Sequence, residues 1–155
     1  YLWQNKLKKV EEALLKAERI ASDYGIAGFE YRRKTILGKV FENKKDYKNA
    51  LKYYKPGLVQ NPTWYLWGGY PQPRSVGRCY RKLKEYNLSE EYLVSALNED
   101  PYHPKTHYEL GLLYHEMEAI EKATNHLQLA VKIWKNADED YSNAREAKSL
   151  LNDWQ

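Results

Sequence analysis

The decapeptide PRSVGRCYRK, residues 73–82, sets Arg74, Arg78 and Arg81 at steps of four and then three. On a helix those steps bring all three guanidinium groups to one face. No acidic residue within the segment offsets them. A guanidinium fork holds a carboxylate through two parallel hydrogen bonds. The chemistry on offer is therefore recognition of acidic groups rather than bond making. The competing expectation is that these arginines are spent inside the fold, on Glu42, Glu109 and Glu116.

The other residues capable of chemistry do not assemble into a reaction. His103 and His107 are four apart, with His115 and His126 further on. A zinc site needs three or four ligands in close spacing. Pro104 interrupts the first pair, and HEMEA lacks the second histidine of a zinc-protease helix. Cys79 has no histidine or carboxylate partner at a telling spacing. Arg78 and Arg81 could lower its pKa, but a packing thiol is the plainer expectation. ILGKVFENK does not have the spacing of a phosphate-binding loop. No catalytic residue, metal ligand or cofactor site is expected, and the chain is not read as an enzyme.

What positions the arginines is a periodic arrangement of helices. Aligned on Gly38, Gly77 and Gly111, the chain repeats an aliphatic residue just before each glycine (Leu37, Val76, Leu110). An aromatic ring follows three residues later (Phe41, Tyr80, Tyr114), and a small residue twelve later (Ala50, Ser89, Ala123). A large apolar residue comes at sixteen (Tyr54, Leu93, Leu127), and a small one again at nineteen (Gly57, Ala96, Ala130). The last two glycines are 34 residues apart and the first two 39 apart, so five residues are inserted between copies one and two. Glycine and alanine on facing helices permit close approach, because interaxial distance follows side-chain size. A single helix pair cannot bury its apolar face, so copies stack.

The pattern resembles the tetratricopeptide repeat, a 34-residue helix-turn-helix unit; LGLLY followed by ATNHL is the best copy. The resemblance implies an all-α solenoid of about eight helices in a single domain. Its expected parts are a leading helix over 1–26, repeats at 31–64, 70–103 and 104–137, the insertion at 65–69 and a capping helix over 138–155. Pro56 should kink or end the helix near Lys55 to Gly57, since proline removes a backbone donor. Gly25 should cap the leading helix. In the closing helix Tyr141, Ala144, Lys148 and Leu151 should share a side, with acidic residues at its start.

The resemblance also implies a concave face lined by the first helix of each pair. Lys39, Arg74, Arg78, Arg81, Lys82, Lys105 and Tyr108 then line a groove for an acidic peptide or a C-terminal carboxylate. The Lys/Asn/Asn/Lys/Arg clamp with which some family members hold chaperone tails is not present, because its positions read Thr35, Lys39, Ser75, Lys105 and Glu109. Tyr65 and Trp67, in the inserted YLWGGYPQP, are either a seal over a junction or secondary aromatic contacts, since Trp, Tyr and Arg dominate binding hot spots. Pro73 suits the first turn of the helix that follows.

The net charge of +4 fits an acidic partner and is too small to indicate nucleic acid. No run of eighteen apolar residues is present, so no membrane span is expected. The lone cysteine excludes an internal disulfide and fits a reducing, cytoplasmic compartment. The chain opens on Tyr1 and is read as a fragment or processed product. The expected function is non-catalytic binding of a protein or peptide. The alternatives are a regulatory or assembly domain attached to a larger protein, and self-association into a homo-oligomer.

Overall fold

A computed structural model describes residues 2–26, 28–58, 72–138 and 141–154. Those residues contain eight α-helices and no strand. They fall into two compact units, Tyr1–Gln72 and Pro73–Gln155. Tyr65, Trp67 and the rest of the 65–69 insertion lie outside the described residues.

The first unit holds α1 (Leu2–Asp23), α2 (Phe29–Asn43) and α3 (Tyr47–Tyr54). Helix α1 ends as expected at Gly25, which adopts φ +69°. There the Gly25 amide donates to the Ser22 carbonyl and the Ile26 amide to the Ala21 carbonyl, at 3.0 and 2.7 Å. This pair of bonds satisfies carbonyls that the helix end would otherwise leave open. The Arg33 guanidinium on α2 pairs with Glu18 on α1 at 2.5 Å, and the Tyr53 hydroxyl donates to Glu11 at 3.3 Å. Asp46 caps α3 by accepting from the Asn49 amide. Helix α3 is short because Pro56 cannot continue it, and the chain tightens into a 3₁₀ turn over Lys55–Gly57.

The second unit pairs α4 (Pro73–Lys82) with α5 (Tyr86–Glu99), pairs α6 (Pro104–Glu116) with α7 (Ile120–Ile133), and closes with α8 (Ser142–Asp153). Pro73 and Pro104 each open a helix, where the missing amide hydrogen has no bond to lose. Leu93, Leu110, Leu113, Tyr114 and Ala123 form one core cluster. Tyr108, Leu127, Ala130, Trp134, Ala144 and Ala147 form a second, which α8 covers. Helix α8 departs from expectation at its start. It begins at Ser142, with no acid in its first turn, so the acidic run precedes it. Its buried stripe is Ala144 and Ala147, with Leu150, Leu151 and Trp154 half-buried, while Lys148 is exposed. A lysine so placed keeps its ammonium in water at no desolvation cost.

The glycine alignment has a direct physical cause in all three pairs. A methyl group on Gly38 would stand 2.3 Å from the Tyr54 ring, and one on Gly77 2.7 Å from Leu93. On Gly111 it would meet the Ala123 carbonyl oxygen at 3.3 Å. Each glycine is thus a notch that the partner helix occupies. A second periodic device follows seven residues later. Lys45, Lys84 and Glu118 all adopt left-handed φ values, of 60°, 63° and 62°. Each ends its helix with the same bond: Asp46 to Phe41, Glu85 to Tyr80 and Ala119 to Tyr114, amide to carbonyl, at 2.8 to 3.0 Å.

Candidate functional site

Helix α4 carries Arg74, Arg78, Arg81 and Lys82 and no carboxylate. What the residues can do depends on how deep each lies and on what α6 sets opposite. Arg81 is 3% exposed. Its Nη2 donates to Glu109 Oε2 at 2.8 Å and its Nη1 to Glu116 Oε1 at 2.5 Å. Burial works against its positive charge, but the two carboxylates outweigh this and raise its pKa further above the ordinary arginine value. Glu109 is also buried, and Arg78 stands 3.7 Å from its other oxygen. Arg81 therefore ties α4 to α6. It is a fixed strut, and its fork is occupied by the chain's own acids.

The remaining cations lie further out. Arg78 keeps 28% of its side chain in solvent and Lys82 is exposed. Arg74 is half-buried in the first turn of α4. Lys105, in the first turn of α6, places its ammonium 5.6 Å from the centre of the Tyr141 ring. Lys39 is exposed on α2 in the first unit. Tyr108 is 4% exposed and packs against Trp134, with the Glu146 carboxylate in the neighbourhood of its hydroxyl. Burial first, and then that carboxylate, raise its pKa. The second unit thus brings Arg78 and Arg81 together around Glu109, and holds Tyr108 within the core rather than on an open face.

For Arg81 the competing expectation holds, since it is spent on Glu109 and Glu116, the latter 36% exposed on its outer side. One feature of this region was not legible in the residue spacing. His107 and His126 meet face to face, with Nδ1 atoms 2.9 Å apart, although 19 residues separate them. Cys79 is fully buried on α4, consistent with a packing thiol. No group of three or more histidine, cysteine or carboxylate side chains suited to a metal occurs among the described residues. No described helix is long and apolar enough to cross a membrane.

Comparison with known proteins bears on the same region. A family model for the tetratricopeptide repeat matches residues 75–103 and 104–134, the two complete pairs of the second unit. Among curated proteins, a "Sol locus transcriptional repressor" of Clostridium acetobutylicum is 33% identical over 81 residues. That stretch covers 52% of this chain and 26% of the repressor, so the match spans about a quarter of the relative's length. Among solved structures, the type III secretion translocator chaperone SycD of Yersinia enterocolitica superposes with a TM-score of 0.68 at 16% identity. The match covers 86% of this chain and 96% of that one, and it shows the fold. The second unit is built of tetratricopeptide repeats, and the chain has an all-α fold of the tetratricopeptide type.

Proposed function

We propose that this tetratricopeptide-repeat chain is a non-catalytic protein-binding module that takes an acidic segment against the cationic side of α4. Repeats of this type join helix hairpins into surfaces for binding other chains. The observation that carries the acidic preference is the surplus of cations on α4. Four cations, Arg74, Arg78, Arg81 and Lys82, stand on a helix that holds no carboxylate of its own; Arg81 is buried against Glu109 and Glu116, while Lys82 is exposed and Arg78 keeps 28% of its side chain in solvent. Partly exposed arginines can take a carboxylate in fork geometry, and the charge excess steers acidic partners toward them. The secretion chaperone noted above is named for holding another protein, but at this identity the likeness carries fold only. The binding reading therefore rests on the repeats and on the charge distribution.

The test is a fluorescence-anisotropy titration with Glu-rich, Lys-rich and neutral peptides of equal length. The Glu-rich peptide should bind best and weaken in 0.5 M salt. Arg78→Glu should weaken it about tenfold, about 1.4 kcal/mol, without loss of helicity. Equal binding of the three peptides removes the acidic preference.

A second reading is favoured by the repressor match: the chain is the interaction region of a larger regulator. Its test is the native complex. Co-purification with transcription components supports it, and co-purification with a secreted substrate opposes it.

A further inference from the structure

The third helix pair contains a histidine arrangement that the binding reading does not use. His107 on α6 is 5% exposed. Its Nε2 lies 2.9 Å from the Pro101 carbonyl oxygen, in the turn between α5 and α6. A carbonyl only accepts, so this Nε2 carries a hydrogen and donates it. On the other side, His107 Nδ1 lies 2.9 Å from His126 Nδ1 on α7. The neutral pair is satisfied with a single hydrogen in that gap, donated by one ring and accepted by the other. The His126 ring is sandwiched, with its centroid 5.2 Å from His107 and 5.5 Å from Tyr114.

Among the described residues, no carboxylate hydrogen-bonds to either ring. From α6 the facing groups are His107 and Tyr114. From α5, Glu90 is occupied by the Tyr114 hydroxyl, which donates to it at 2.7 Å. From α7 itself comes Lys122, whose ammonium stands 5.0 Å from the Tyr114 ring centre. From the α5–α6 turn comes the Pro101 carbonyl, already used by His107. A first added proton meets a partly desolvated site beside a lysine. A second puts two N–H groups head to head across 2.9 Å, a clash that only separation of the rings relieves.

We propose that His107 and His126 form a proton-excluding clasp across the α6–α7 hairpin, joined Nδ1 to Nδ1 while the rings are neutral, so that acidification weakens the folded chain. The direction of the coupling follows from proton counting. Burial, then His107 and then Lys122 lower the His126 pKa from 6.5 to about 4. Between those two values the unfolded chain binds more protons than the folded one, so stability falls as pH falls. It is complete above about 6.5 and the loss is finished near 4. A fully excluded proton changes the folding constant about tenfold per pH unit. His126 is partly exposed, so a several-fold change per unit is expected.

Two measurements on the whole chain decide the matter. The first is a pH series of side-chain nitrogen-detected NMR spectra on the ¹⁵N-labelled wild-type protein. His126 should remain neutral through pH 5. Titration of His126 near 6.5 in the folded chain overturns the proposal. The second compares urea midpoints of wild type and His126→Gln from pH 7.5 to 4.5. The wild type should lose stability more steeply, because its carboxylates titrate equally in both proteins. Parallel curves overturn the clasp. If the glutamine variant does not fold, the NMR titration of the wild type stands as the deciding result.

Discussion

Replacing Arg81 by methionine is the sharpest probe of the α4–α6 tie. The change keeps most of the aliphatic stem and deletes the guanidinium. It removes two charge-assisted hydrogen bonds, of 2.8 and 2.5 Å. Glu109 is then left with 7% of its side chain exposed and with Arg78 at 3.7 Å. Removing one member of a buried ion pair costs about 3–5 kcal/mol, because the other charge stays desolvated. Glu116 moderates this, since at 36% exposure it returns to water at little cost. A loss near the lower bound, about 3 kcal/mol, is therefore expected from urea unfolding at pH 7.5. That is a large share of the roughly 5–15 kcal/mol typical of a domain. A double-mutant cycle apportions it. Arg81→Met with Glu109→Gln should recover most of the loss, whereas Arg81→Met with Glu116→Gln should recover less than about 1 kcal/mol, as for an exposed pair. The Arg81–Glu109 coupling should also resist 0.5 M NaCl, because salt screens buried pairs poorly. A loss under about 1 kcal/mol for Arg81→Met, or equal coupling to both glutamates, would refute the assignment of Arg81 as a buried strut.

The glycine notches predict an ordering of thermal stability. Gly38→Ala should be the most damaging, because Tyr54 is fully buried and its hydroxyl is tied to Glu42 at 2.8 Å. Gly77→Ala should cost about 1–2 kcal/mol after the roughly 1 kcal/mol of helix preference that alanine adds. Gly111→Ala, whose nearest contact is 3.3 Å, should be the mildest, and finding it the worst would contradict the notch geometry. Lys84→Gly and Glu118→Gly should each raise stability by about 0.5–1 kcal/mol in calorimetry, since both sites hold left-handed backbone that glycine adopts without strain. Ala119→Asp should add about 1 kcal/mol by supplying the cap that Asp46 gives α3 and that α7 lacks.

Much of the fold could be read from residue spacing because packing imposes it. Two helices that approach closely need a small residue at the crossing, and a small residue is visible as a letter. The end of α1 at Gly25 and the break at Pro56 are legible for the same reason, since each requires a specific residue type. The left-handed ends at Lys45, Lys84 and Glu118 are not, because lysine and glutamate do not announce that conformation. Depth was the main loss at the candidate site. Steps of four and three place Arg74, Arg78 and Arg81 on one face, yet they do not say that Arg81 lies 3% exposed between two glutamates while Arg78 keeps contact with water. Tyr108 shows the same limit. It holds a position that lines a groove by resemblance, and Trp134 and the neighbouring Glu146 enclose it. The pairing of His107 with His126 depends on the crossing of α6 and α7, which no local spacing encodes.

The most direct measurement of the binding function is affinity capture from the native lysate, with the wild-type chain beside an Arg74→Glu/Arg78→Glu double variant. The wild type should retain a partner rich in acidic residues, release it in high salt, and lose it in the variant while far-ultraviolet circular dichroism stays the same. Retention of the same partner by the charge-reversed chain, at equal yield and with helicity intact, would contradict binding through α4.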